Sequence, residues 1–164
     1  MGKHTDSYKI KLVSDETLCL GVKAGAGSNR NYVGLMPCEH GYEVDNTWNI
    51  GTYTPDTPTG YQIYGAKSNG KKKGWCITTP RKDDPFFASK SDNIHLYTSE
   101  DAVKKKTCPH FTYDATNQTL ISGDQHSKPN TVGQCLKATN DGTRDYTWQK
   151  CDNNSAKFIF ALKK

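Results

Sequence analysis

Six cysteines carry the most readable chemistry of this 164-residue chain. The count is even and none sits in the CxxC spacing of a zinc or redox site, so the thiols read as disulfide partners, as in chains from oxidising compartments. The groups that build enzyme sites are dispersed. His4, His40, His95, His110 and His126 are scattered; HExxH, GxSxG and a GxxxxGK phosphate loop completed by Ser or Thr do not occur. His110 near Cys108 suggests a metal, but that cysteine has a better role in a bridge. The carboxylates form no pair in a recurring context, so the residue types argue for binding without an enzyme's machinery, a cofactor or a metal.

Two groups of polar side chains gather carboxylates and amides beside an aromatic ring. Towards the end of the chain Lys137, Asn140, Asp141, Asp145, Tyr146 and Gln149 crowd a loop and a strand, and Asn153 and Asn154 follow Cys151. Tyr42, Asp45 and Asn46 form a similar group near the start. They read as binding groups or as polar loop residues of a soluble domain. The formal net charge is +5, with the excess in Lys71-Lys72-Lys73, Lys104-Lys105-Lys106 and Lys163-Lys164. Such runs are solvated loops and a tail, or a patch for acidic glycans, anionic membrane or nucleic acid. Nucleic acid is the weakest partner, because no nucleic-acid motif accompanies the lysines.

These side chains must be positioned by short strands. Only 34% of the residues are hydrophobic, and no apolar run approaches the roughly 18 residues of a membrane helix. Tyr8 to Val13 alternates apolar and polar residues, as a half-buried strand does. Thr17–Val22, Tyr32–Met36 and Thr47–Thr52 follow as strands, separated by a turn at Ser14-Asp15-Glu16 and a Gly/Ser/Asn loop. Thr54 to Gly60 is a boundary of turn formers. Tyr61–Tyr64 and Gly74–Thr79 come next, around a hairpin tip at Ser68-Asn69-Gly70, and Phe86-Phe87 could fill a gap beneath a charged loop. For the next strand, Asn93–Thr98 and a segment around Val103 compete, and Ser99 to Lys106 has room for a turn of helix at most. Phe111–Ala115, Thr119–Ser122, Gln134–Lys137, Tyr146–Lys150 and Phe158–Leu162 complete the series, with a polar loop over Asp124 to Thr131.

The pattern repeats three times. Each copy has one cysteine on a strand and another beyond a later strand, which pairs Cys19 with Cys38, Cys76 with Cys108, and Cys135 with Cys151. Each such bridge closes a local loop worth about 3 kcal/mol in the chain-entropy model. Regularly spaced short strands with polar turns argue an all-β barrel or sandwich, and a closed barrel removes exposed edges. The disulfides predict a secreted protein. Met1 to Asp6 lacks the apolar region of a signal peptide, so the expectation is a mature chain whose signal peptide is absent from this sequence. Asn-x-Ser/Thr sequons at Asn117 and Asn153 are compatible with secretion.

Three four-stranded units, each with an internal disulfide, resemble the ricin-B or R-type lectin family. The first unit carries the likeness best: Cys-Leu-x-Val at Cys19 to Val22, Leu-x-Pro-Cys at Leu35 to Cys38, and Trp48 ten residues later, with the family's Gln-x-Trp altered to Asn46-Thr47-Trp48. In the third unit Cys135-Leu136 matches and Phe158 takes the place of the Trp; the middle unit matches at Cys76, Cys108 and Phe111. The resemblance implies an all-β, β-trefoil fold, one domain over residues 1–164 with repeats at 6–53, 60–116 and 117–164. Trp48, Phe111 and Phe158 would then be equivalent aromatics in a shared core.

The resemblance also implies a shallow sugar site in each unit, and here each is altered. The family's carboxylate position, two residues after the first cysteine, holds Gly21, Thr78 and Lys137. Its stacking aromatic, two before the second cysteine, is replaced by Met36, Lys106 and Gln149, and its amide position holds Asp45 in the first unit and Ser155 in the third. The expected function is a secreted lectin-like module that binds glycans or glycoproteins through Lys137, Asn140, Asp141, Tyr146, Gln149, Asn153, Tyr42, Asp45 and Asn46, with acidic glycans met by the lysine runs. The alternative is a trefoil without sugar sites that acts through protein contacts, as a secreted effector, toxin subunit or protease inhibitor.

Overall fold

A computed structural model describes residues 7–23, 31–39, 46–52, 60–65, 74–79, 95–124, 130–139 and 145–162. Of the residues singled out above, Tyr42, Asp45, Asn140, Asp141, the hairpin tip at 68–70, Lys71–Lys73, Phe86-Phe87 and Lys163-Lys164 lie outside them. The first unit contains β1 (Ser7–Leu12), β2 (Asp15–Val22), β3 (Val33–Pro37) and β4 (Trp48–Thr52). The second contains β5 (Tyr61–Gly65), β6 (Cys76–Thr78), β7 (Tyr97–Ser99), α1 (Glu100–Lys105) and β8 (Phe111–Asp114). The third contains β9 (Thr119–Ser122), β10 (Cys135–Ala138), β11 (Tyr146–Gln149) and β12 (Phe158–Leu162).

The first and fourth strands of the units make a ring. β1 pairs with β4, β4 with β5, β5 with β8, β8 with β9, and β12 with β1, all antiparallel. The Phe158 N–H closes the remaining gap by donating to the Gln118 carbonyl at 2.8 Å. The second and third strands, β2–β3, β6–β7 and β10–β11, pair as hairpins beside that ring. This is a β-trefoil, and its closure hides the strand edges that short, lean strands would otherwise expose.

The three predicted disulfides are formed: Cys19–Cys38, Cys76–Cys108 and Cys135–Cys151, one per unit. Trp48, Phe111 and Phe158 are the first residues of β4, β8 and β12, and all three are buried. The Trp48 indole donates to the Leu20 carbonyl at 3.0 Å, Phe111 stacks on Trp148 at 5.5 Å, and Phe158 meets Tyr146 edge-on at 5.4 Å. These rings pack among buried aliphatics from all three units, Ile10, Ile50, Ile77 and Leu136 among them, so the core is less dependent on aromatics than the lean composition suggests.

The structure departs from the sequence expectations in three places. Asp15, expected in a turn, begins β2, and its carboxylate accepts the Thr17 N–H instead of capping a longer loop. In the middle unit β7 follows Leu96 at Tyr97–Ser99, paired with β6, and Val103 belongs to α1. The helix forms there because Ser99 accepts the Ala102 N–H, Glu100 and Asp101 open it, and Lys104 and Lys105 close it. The ends of the loop expected over Asp124 to Thr131 are interior: Asp124 accepts a hydrogen bond from Thr79 at 3.2 Å, and Ser122 and Thr131 hydroxyls meet at 2.7 Å.

Candidate functional site

The β10–β11 hairpin sorts the polar residues of the third unit. Its register opposes Leu136 to Trp148, Lys137 to Thr147 and Ala138 to Tyr146. Side chains alternate faces along a strand, so Leu136, Trp148 and Tyr146 go to the core and Lys137 and Gln149 share the other face. The Cys135–Cys151 bond holds the segment after β11 against the start of β10. That segment is a compact turn. The Asp152 N–H donates to Ser155 Oγ at 3.0 Å, Asn154 N–H to Asp152 Oδ1 at 2.8 Å, and Ser155 N–H to the Asp152 carbonyl at 3.1 Å. A bridge from Lys137 to Ser155 and the Ala156 N–H bond to the Leu136 carbonyl tie the turn to β10.

The turn delivers the Asp152 carboxylate onto Lys137. Lys137 Nζ donates to Asp152 Oδ2 at 2.6 Å, with side-chain exposures of 24% and 43%. The hydrogen bond from Lys137, aided by that from the Asn154 N–H, holds the Asp152 carboxyl below the usual carboxylate range. An ionised, accessible carboxylate therefore stands beside the position where the resemblance places the family's acid. Gln149 is half-buried, and its amide donates to Thr147 Oγ1 at 2.7 Å, leaving its carbonyl oxygen as an acceptor. Asp152 was missed in the sequence because the family position is occupied by Lys137; its signal was the run Asp152-Asn153-Asn154 directly after a bridged cysteine.

The other expected ligands separate. Asn46 is fully buried; its amide donates to the carbonyls of Pro37 at 2.9 Å and Cys38 at 3.2 Å, and its oxygen accepts from Lys9. Placed so, it holds the loop end of its unit and presents no surface to a sugar. Tyr146 is buried against Phe158, and burial, with the nearby Asp145 charge, pushes its phenol up. Asp145 turns to the first unit, where its carboxylate accepts the Leu35 N–H at 2.7 Å and faces Lys23 at 3.6 Å. Asn153 and Asn154 are exposed. In the other units the family's acid positions are interior: Gly21 is buried and Thr78 is fully so. Lys104 and Lys105 lie in the last turn of α1 and Lys106 caps it, so this triplet complements the helix's negative end as well as facing solvent.

Tyr146 and Asn153 also line a cavity of about 360 Å³ between the β1–β2 turn and the Asn153–Lys157 segment. No cluster of three metal-ligating side chains occurs among the described residues, and no described helix is long and apolar enough to cross a membrane.

No family model matches the chain, and no curated protein matches it in sequence. Solved structures match it in fold. A mosquitocidal holotoxin aligns with a TM-score of 0.62 at 10% identity over 96% of this chain, which spans only 17% of that one. The β-trefoil lectin of the Vibrio vulnificus hemolysin/cytolysin, solved with N-acetyl-D-lactosamine bound, aligns with a TM-score of 0.59 at 13% identity over 97% of this chain and 96% of that one. A BBKI mutant in complex with bovine trypsin aligns with a TM-score of 0.58 at 12% identity over 99% and 92%. At these identities the likeness establishes the β-trefoil fold, shared by a lectin, a toxin and a trypsin-bound protein.

Proposed function

We propose that the chain is a lectin-like carbohydrate-binding module, one trefoil domain over residues 1–164 that works outside the cell, and that its sugar site lies in the third unit. The observation that carries this reading is the ionised Asp152 carboxylate, half-exposed beside Lys137. Asp152 accepts from sugar hydroxyls, Lys137 donates, and Gln149 flanks them. The acid of a family-type site has moved from the strand to the turn after the second cysteine. The three disulfides support an oxidising compartment. A shallow surface of this kind binds weakly per site and gains from multivalent display.

The test is a glycan array with the full chain, followed by Asp152→Ala and Gln149→Ala. Binding to neutral galactose-type glycans that falls at least about tenfold in Asp152→Ala is the expected result, the loss of one hydrogen bond to a charged group. Binding unchanged in both variants moves the site elsewhere. A second reading, a trefoil acting through protein contacts, draws on Gly21 and Thr78 being interior and on Lys137 replacing an acid. An array empty across neutral and acidic glycans selects it.

A further inference from the structure

The third unit has a second concave surface on the opposite side of its hairpin from Lys137 and Gln149. Ala138 opposes Tyr146 in the β10–β11 register, so both lie on the inner face, whereas Lys137 and Thr147 lie on the outer one. Together with Leu12 from the end of β1 and Asn153, Asn154 and Lys157 from the last turn, Ala138 and Tyr146 line the cavity of about 360 Å³. Its walls come from two units distant in sequence. They are fixed to one another by the Val13 N–H bond to the Lys157 carbonyl at 2.9 Å and by the five-residue pairing of β1 with β12. The last turn is held by its own Asp152–Ser155 hydrogen bonds, so the pocket exists before a ligand arrives.

Size, polarity and charge narrow the occupant. The volume is at the small end of the roughly 300–1,000 Å³ of ligand pockets, which suits one ring with its substituents. Leu12, Ala138 and the Tyr146 ring give an apolar wall; the two carboxamides give donors and acceptors; among the described residues, Lys157 is the one formally charged residue of the lining. Of the acids adjacent in sequence to the lining, Asp152 pairs with Lys137, Asp145 accepts the Leu35 N–H and faces Lys23, and Asp15 accepts from Thr17. We infer that this cavity binds a carboxylate-bearing, N-acylated pyranose: the acyl methyl lies on the apolar wall, the hydroxyls on Asn153 and Asn154, and the carboxylate at the Lys157 end. The inference goes beyond the neutral-sugar site proposed at Asp152 and does not need it.

The experiment is a titration of the isotope-labelled full chain, followed by amide NMR, with the methyl glycoside of N-acetylneuraminic acid, its carboxamide, and methyl glucuronide. The expected result is saturable shifts of the Ser14, Ala138, Asn154 and Ala156 amides with the first probe. The carboxamide and the unacylated glucuronide should bind at least about threefold more weakly, the scale of one partly exposed charge contact. Lys157→Gln, an exposed position that leaves the fold intact, should weaken the first probe by a similar factor. No shifts at millimolar probe, shifts confined to the Lys137–Gln149 face, or equal binding of acid and carboxamide overturn the inference. The first and third of those outcomes leave the neutral-sugar site untouched, so the two proposals fail separately.

Discussion

The Leu35 N–H donates to Asp145 Oδ2 at 2.7 Å across 110 residues of chain. This bond fastens the β2–β3 hairpin of the first unit to the start of β11 in the third. Lys23 reinforces it, with Nζ 3.6 Å from the same carboxylate oxygen and 2.6 Å from the Leu35 carbonyl. Asp145 thereby serves the contact between units.

Asp145→Ala should lower unfolding free energy by about 1–3 kcal/mol, the cost of stranding a partner of a charge-assisted hydrogen bond. Gly34→Ala should act on the same contact, because a Cβ there would stand 2.5 Å from Asp145 Oδ2. Denaturant curves of both variants and of the double variant give the check. The double variant should lose less than the sum of the singles, since one contact is broken twice; strict additivity would show that the two residues do not share it.

The Cys135–Cys151 bond spans 16 residues and holds the turn that carries Asp152. Replacing both cysteines by serine should cost about 3 kcal/mol by the loop-closure estimate. Glycan binding should weaken in the same variant under conditions where thermal melting shows it folded, because Asp152 loses its anchor. Binding at the parent level would mean that the hydrogen bonds of the turn suffice.

The pH response follows from the sign of the Asp152 shift. Its folded value lies below the ordinary 3.8, so the Lys137 contact stabilises the folded chain above about pH 4 and fades as pH falls through the lower folded value. Sugar binding through the ionised carboxylate should therefore persist below the pH at which a free aspartate is protonated. Carbon-detected NMR of the carboxyl reads this directly, and Lys137→Ala should move the titration towards the ordinary range but not all the way, because the Asn154 N–H bond remains.

Ser99→Ala removes the oxygen that accepts the Ala102 N–H at the start of α1. The loss should be about 0.5–2 kcal/mol, and Ser99→Asp should recover part of it. Calorimetric melting of the two variants decides whether this six-residue helix is held by its cap or by packing of Ala102 alone.

Much of the fold was legible because its signals are local. Thr119–Ser122 and Phe158–Leu162 form strands at the expected residues, since a short apolar run bounded by polar residues needs only the segment itself. The disulfides were legible for a related reason: a cysteine on a strand and one past a later strand recur in each unit. The middle unit resisted, because Ser99 to Lys106 can end a strand or start a helix; the Ser99 cap and the packing of Ala102 chose the helix.

The sequence by itself thus determined the threefold strand grammar, the sulfur pairing and the aromatic core positions, all carried by a pattern that recurs along the chain. Only the tertiary structure decided which polar side chains remain available. Asn46 turned inward to the Pro37 and Cys38 carbonyls, Asp145 crossed to Leu35, Tyr146 went beneath Phe158, and Asp152 came out beside Lys137. The physical reason is that a strand's pattern states which residues share a face, whereas what that face meets depends on the register and on partners far along the chain.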